Sequence, residues 1–323
     1  MATPQPRFEV QVRPLVERDL PDADRIVRLA FGKFLGSPDP VYLMGDADFA
    51  CTRWRADPSA ALAAEYDGKV IGSSFATNWG SFGFFGPLTV HPDYWDRGVA
   101  QQLLVPTMRI LDGWRCRHLG LHTFSLSPKH MALYQKFGFW PRNLVALMSK
   151  EIGNPSDITN PETVHFSAAG PQEQEKLLAA CREVTDQIFE GLDVSREISA
   201  VFDQHLGDTL LIWDRGRLAA FAVCHAGPGT EAGSGVCYVK FAAVQPSRRA
   251  GANLYRLLDA CESLGRAGAA HKIVAGINLA RREAYDRLFT WGFRADSMGV
   301  AMETGDESSG YNRADMYILD DWR

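Results

Sequence analysis

Two stretches of this chain, 154 residues apart, carry the same pattern of strand end, helix and glycine step. Val90 and Val244, Pro92 and Pro246, Leu103 and Leu257, Leu104 and Leu258, Gly138 and Gly292, and Phe139 and Phe293 all pair at that one offset. Unrelated segments do not hold a single register across three kinds of element, so one supersecondary unit is expected twice. At 323 residues the chain has the length for two domains of ordinary size. A polar, turn-rich stretch divides the copies, Gly153-Asn154-Pro155-Ser156-Asp157 and then Asn160-Pro161. The expected division is a domain over 1–152, a linker over 153–163 and a second domain over 164–323.

In the first copy, residues 8–14 alternate as a short strand, and a helix is expected over 21–34 with Asp19 as N-cap. Its apolar face is Ile26, Leu29, Ala30 and Phe34. Residues 36–45 are loop-like, and 46–56 suit a second helix. Strands over 61–66 and 69–79 flank the hairpin pair Asp67-Gly68, and 81–90 continues the meander. The helix after Gly98 buries Ala100, Leu103, Leu104, Thr107 and Leu111, with Pro106 inside it. A strand over 119–125, a short helix over 129–136 and a closing strand over 143–150 follow. In the second copy the pattern restarts with a strand over 164–167, a helix over 172–189, a turn at Asp214-Arg215-Gly216 and an apolar strand over 236–244.

The first copy carries a chemical signal where its third strand meets the next helix. Residues 88–100 read LTVHPDYWDRGVA. The first N–H groups of a helix have no internal bond and sit at the positive end of its dipole. Gly98 and Ala100 leave room for an anion to approach them. Alone, such a turn is also an ordinary start to an amphipathic helix. A second signal follows in Ala132-Leu133-Tyr134-Gln135-Lys136-Phe137-Gly138-Phe139, a tyrosine on a short helix ended by a glycine cap.

Together these stretches resemble the GNAT superfamily of acyl-CoA-dependent N-acyltransferases. Its pyrophosphate loop is Q/R-x-x-G-x-G/A, followed by L-Y-x-x-x-G-F. Gly98 and Ala100 fill the small positions and Tyr134 the tyrosine, while Trp95 stands where the family has Gln or Arg, with Arg97 as a nearby substitute. The resemblance covers nearly all of the chain in tandem form. It implies an α/β fold, each copy a central, mostly antiparallel mixed sheet flanked by helices. It also implies transfer of an acyl group, acetyl by default, from acyl-CoA to a small-molecule or protein amine by direct attack.

The same resemblance implies roles. The main chain of Asp96, Arg97, Gly98, Val99 and Ala100 would hold the pyrophosphate. An N–H along Leu88, Thr89 and Val90 would polarise the thioester carbonyl. Tyr134 would protonate the leaving thiolate, although a buried tyrosine in so aromatic a setting is also a core residue. Many relatives place a glutamate on the strand before the loop, but residues 80–90 contain no carboxylate. His122 on the following strand is either the base that takes the amine proton or a hydrogen-bonded core histidine. Trp79, Phe82, Phe84, Phe85, Trp95, Phe124, Phe137 and Trp140 crowd this half, and any that line the acceptor site favour an acceptor with an apolar part.

In the second copy Gly98 becomes Ala252, Ala100 becomes Leu254 and Tyr134 becomes Leu288. Leu254 is expected to push a branched side chain toward the pyrophosphate position, and Leu288 has no proton to give. Arg249 fills the Gln/Arg position, and Gly251 lies one residue before the glycine slot, which leaves a turn shifted by one residue as the alternative. The second copy is therefore expected to have lost catalysis and to serve as scaffold or as a wall of the acceptor site.

A net charge of −5 argues against a nucleic-acid surface. No apolar run approaches the ~20 residues of a membrane span, and the start lacks the marks of a signal peptide. Six scattered cysteines without C-x-x-C suit reduced thiols in the cytoplasm, and neither they nor the eight histidines fall at metal-ligand spacing, so no metal is expected. The competing reading is a non-catalytic acyl-CoA-binding or regulatory protein of the same fold, which Trp95 and the missing glutamate favour and Gly98, Ala100 and Tyr134 oppose.

Overall fold

The computed structural model describes residues 8–154, 163–305 and 310–322. Strands β1 (Gln11–Pro14), β2 (Ala61–Tyr66), β3 (Lys69–Trp79) and β4 (Phe82–Val90) form an antiparallel meander, with helices α1 (Leu20–Phe34) and α2 (Ala50–Ala56) between β1 and β2. Helix α3 (Val99–Trp114), which runs through Pro106, leads to β5 (His118–Phe124), α4 (Pro128–Gln135) and β6 (Trp140–Glu151). The second copy comprises β7 (Thr163–His165), α5 (Pro171–Ile188), α6 (Ser195–Asp203), β8 (Gly207–Asp214), β9 (Arg217–Gly227) and β10 (Gly233–Val244). It continues through α7 (Ala250–Ala267), β11 (Lys272–Asn278), α8 (Arg282–Trp291) and β12 (Arg294–Glu303) to the two-residue β13 (Ile318–Leu319). β5 and β11, α4 and α8, and β6 and β12 begin at one common offset of 154 residues.

Two local expectations give way to longer-range partners. Asp19 stands at the N-cap of α1 but makes no cap bond, because Arg13 holds its carboxylate at 2.6 and 3.1 Å. The second helix begins only at Ala50, where the Asp48 carboxylate accepts from the Cys51 N–H at 2.8 Å, while Asp46 accepts from the Ser234 N–H at 2.7 Å. Helix α6 was not anticipated. Among the described residues no helix is long and apolar enough to cross a membrane.

One sheet runs through both copies in the order β1-β2-β3-β4-β5-β12-β6-β11-β10-β9-β8-β7, with β13 added to β10. Neighbours are antiparallel except β4 with β5 and β10 with β11. The copies do not close their own sheets. β12 pairs with β5, Ala301 opposite His122, and β6 pairs with β11, Val145 opposite Asn278. The closing strand expected over 143–150 thus exists, but it completes the second copy. β6 ends at Glu151 and β7 begins at Thr163, yet the sheet runs on without a break, and most of the expected linker lies outside the described residues.

Side chains of β10 alternate between two faces, and a bulge between Val239 and Phe241 swaps which face the odd-numbered residues take. Phe241 and Ala243 join a core with Trp79, Phe82 and Phe84 of the first copy and Val184, Ile188 and Ile198 of α5 and α6. Cys237, Val239, Ala242 and Val244 face α7. The first core spans the junction between the copies. Fully burying a large apolar side chain is worth ~1.5–3 kcal/mol, and the share of that made across the junction opposes parting the copies.

Candidate active site

β4 and β5 pair only from Phe82 opposite His118 to Phe84 opposite Gly120. Beyond that they part, because β4 holds one residue more than β3. Ser74 faces Leu88 and Ala76 faces Phe85, leaving a bulge at Gly86-Pro87 that bends the strand. Past the bulge, the His91 N–H donates to Ile71 of β3 at 2.8 Å. Alternation then turns the N–H groups of Leu88 and Val90 away from β3 and toward the gap, while that of Thr89 faces β3.

The turn below the gap is laced to the strand. Trp95 donates its indole N–H to the Val90 carbonyl at 2.7 Å, so the residue that departs from Gln/Arg braces the turn. Asp96 (φ 63°) and Gly98 (φ 79°) both take left-handed backbone, and Asp96 is held by Lys129 of α4. A Cβ on Gly98 would meet nothing within 4 Å, so open space lies in front of it. The first bond of α3 runs from the Gln102 N–H to the Gly98 carbonyl at 3.2 Å. The N–H groups of Val99, Ala100 and Gln101 precede it and carry the positive end of the dipole. Arg97 points elsewhere, with its guanidinium over the rings of Phe8 and Tyr94 at 5.3 and 5.5 Å.

Tyr134 is buried with Leu104, Leu111, Leu121 and Phe139, its ring edge-on to Phe85 of β4 at 5.8 Å. Burial pushes its phenol up to about 12. His122 neighbours Leu121 on β5 and therefore projects from the opposite face. Its imidazole lies over Gly299 of β12, where an added Cβ would come 1.6 Å from Nε2. Tyr134 and His122 thus flank the strand from its two sides. Nearby, Phe124 packs on Phe31 and Phe34 of α1 at 5.7 and 4.7 Å. Trp79, Phe82 and Phe84 are core, whereas Trp140 is exposed.

A buried charged seam between the copies escaped the sequence reading. Arg53 of α2 makes a two-pronged pair with Glu231 at 2.9 Å on each side, and Lys240 of β10 reaches the same carboxylate at 2.5 Å. Both cations hold that carboxyl well below the usual range against the effect of its burial. His225 beside them is held down to about 3 by burial and then by Lys240. A cavity of about 30 Å³ there is lined by His225, Gln204, Glu197 and Arg53 among others. The one legible signal was Lys240, a charge inside the apolar strand over 236–244.

The second copy differs at every corresponding point. α7 begins at Ala250, so its first turn occupies the positions that in the first copy form the Asp96–Gly98 loop. Leu254 does not face the pyrophosphate position as expected. It is fully buried in the core with Leu257 and Leu258, because its side of the helix faces the sheet. Arg287 lies at the helix start instead, its Nε 3.0 Å from where a Cβ on Gly251 would be. Arg249 is occupied by Asp214 at 2.8 and 3.0 Å, and Leu288 is core.

The gap between β10 and β11 is filled by the chain's own C-terminal segment. Leu319 and Ile318 pair with Ala242 and Ala243, and the Val244 N–H donates to the Tyr317 carbonyl at 3.0 Å. Val244 is the counterpart of Val90. Asp321 lies over Gly276, the counterpart of His122, and accepts from the Tyr238 hydroxyl at 3.1 Å. Asp320 is locked by Arg281 at 2.7 Å and Tyr311 at 2.6 Å.

Comparison with known proteins places these features in context. The acetyltransferase (GNAT) family model matches residues 25–139. A curated acetyltransferase of Sodalis glossinidius (strain morsitans) is 30% identical over 96 residues, covering 30% of this chain and 68% of that protein. A Pyrococcus horikoshii crystal structure assigned as an acetyltransferase superposes with a TM-score of 0.69 at 15% identity, over 98% of this chain and 96% of that one. A GCN5-related N-acetyltransferase from Sphaerobacter thermophilus gives 0.60 at 15% identity, over 95% and 99%. A tandem GNAT protein from the clavulanic acid biosynthesis pathway gives 0.58 at 12% identity, over 93% and 100%. At such identities the solved structures share the fold with this chain across both copies.

Proposed function

The chain belongs to the acetyltransferase (GNAT) family, and we propose that it carries out acyl transfer in its first copy alone. It is an acyl-CoA-dependent N-acetyltransferase. In this reading residues 1–152 hold the reacting groups, and residues 164–323 supply β12 as a floor and a buried clamp. The acceptor is an amine, and the aromatic wall of Phe31, Phe34 and Phe124 beside His122 favours one with an apolar part. Six unpaired cysteines favour a reducing compartment such as the cytoplasm, and the net charge of −5 disfavours a nucleic-acid partner.

The start of α3 holds the pyrophosphate through the main chain of Asp96 to Ala100, and the thioester lies along Leu88 to Val90. The amine nitrogen attacks the carbonyl carbon, a C–N bond forms, the C–S bond breaks, and the electron pair leaves on sulfur. Leu88 or Val90 N–H steadies the oxygen as charge builds there. His122 takes the proton that the amine loses. A thiol has a pKa of ~8.5, well below the phenol of Tyr134, so a thiolate does not strip that proton. Tyr134 instead stabilises the leaving sulfur by donating a hydrogen bond, and solvent protonates it afterwards.

The observation that carries this reading is the contrast between the two gaps. The first opens onto Gly98 and a strand edge, Leu88 to Val90, that no strand among the described residues pairs on its far side, whereas the second is occupied by residues 317–321. Calorimetric titration with CoA should give one site per chain, lost in a folded Gly98→Val protein. Two sites, with one surviving that substitution, would overturn it. Thiol release from acetyl-CoA across a panel of amines then identifies the acceptor class.

A further inference from the structure

The proposed thioester site depends on how β4 leaves the sheet, and the residue at that point is gripped by an arginine that the other copy holds in place. At the bulge, the Gly86 carbonyl accepts a hydrogen bond from Nη1 of Arg53. The other guanidinium nitrogens, Nε and Nη2, each donate to one oxygen of Glu231 at 2.9 Å. Glu231 lies between β9 and β10, and its side chain is wholly buried. Lys240 holds the same carboxylate and reaches Glu197 of α6 at 3.3 Å, to which Trp79 of β3 also donates at 3.3 Å. A planar fork bound on all its edges has one orientation. Stability is a poor explanation for it, since apolar residues of the same volume often stabilise as well as a buried ion pair does. Apolar residues cannot aim an N–H at Gly86.

We infer that Arg53 is a positioning residue for acyl transfer. With Glu231 it fixes the Gly86 carbonyl, and through it the direction of the Leu88 and Val90 N–H groups that polarise the thioester. The coupling is covalent. The Gly86 carbonyl sets the plane of the peptide to Pro87, whose ring fixes the next φ, and Leu88 follows. The inference rests on the reading that the thioester lies in the β4–β5 gap. The second copy, its own gap filled, thereby becomes the clamp on the first copy's bulge.

Acetyl-CoA carrying ¹³C at the thioester carbonyl reports this polarisation without any acceptor. Binding to the wild-type protein should lower the C=O stretching frequency and move the ¹³C resonance downfield of free acetyl-CoA. Arg53→Lys keeps the charge but reaches fewer partners, and it should lose most of both shifts while acetyl-CoA affinity is unchanged. Its kcat for thiol release, with the amine that turns over fastest, should fall on the order of 10–100-fold. Glu231→Gln leaves Arg53 in place with a weaker grip, should move the signal the same way by less, and decides the matter if Arg53→Lys does not fold. Wild-type shifts and kcat in folded Arg53→Lys, or in Glu231→Gln where only that variant folds, would overturn the inference. A wild-type protein that fails to bind acetyl-CoA, or binds it with no carbonyl shift, would overturn the reading beneath it and the inference with it.

Discussion

Burial in the cluster with Phe85, Leu104 and Phe139 pushes the phenol of Tyr134 up to about 12, so its hydroxyl keeps its proton throughout the neutral range. The folded value lies above that of an exposed tyrosine, ~10, so the associated stability is full below that pH and fades as pH rises toward the folded value. Activity should therefore show no alkaline loss from this group at pH values where an exposed tyrosine ionises. Tyr134→Phe keeps the ring against Phe85 and removes only the donor. It should lower kcat about 10²-fold with acetyl-CoA affinity unchanged, measured by thiol release and calorimetry side by side. An unchanged kcat would remove Tyr134 from the mechanism. Trp95 makes a related point at this scale. A side chain that departs from the family's loop still supports it, because its bond to the Val90 carbonyl ties turn to strand.

At the scale of elements, β9 and β10 bring His225, Lys240 and Glu231 against Arg53 of α2 in a buried seam. His225 is depressed to about 3, so the unfolded chain binds a proton there that the folded chain refuses until much lower pH. Stability from this group is full above ~6.5 and is lost as pH falls toward the folded value. By pH 4 the wild type should have lost about 3 kcal/mol on this account, which a His225→Gln protein should largely retain, as urea melts at pH 7 and pH 4 would show. Equal losses in the two proteins would mean that the histidine is solvated. Gly299 is legible on the same scale in retrospect. A glycine inside an otherwise side-chain-bearing strand marks a close approach, and the imidazole of His122 is what approaches.

For the whole molecule, the exchange of β6 and β12 means that neither half has a complete sheet by itself. A fragment of residues 1–152 would leave β5 and β6 as long unpaired edges, which invite association. Fragments 1–152 and 164–323 should therefore be insoluble or self-associated when made apart, and should assemble one-to-one when made together, as size-exclusion chromatography would show. A monomeric first fragment that binds CoA would mean that its sheet closes without β12.

Local chemistry made much of this protein readable in advance. The hairpin at Asp67-Gly68, the strands over 61–66 and 69–79, the helix after Gly98 and the repeat at one offset all follow from periodicity and turn residues, which act between near neighbours. The loop and Tyr134 stood out as candidates because their spacing along the chain is part of the motif. Periodicity says which face of a strand is buried and nothing about which strand lies beside it. β6 and β12 carry similar patterns, so only tertiary packing decided that each would complete the other copy's sheet. The filling of the second gap rests on a strand of two residues, too short for any pattern. The Arg53–Glu231 pair joins positions 178 residues apart, and nothing local in either segment requires the other. Those contacts exist because burying the junction core brings α2, β9 and β10 together, and a charge carried into that core is stable only beside its opposite.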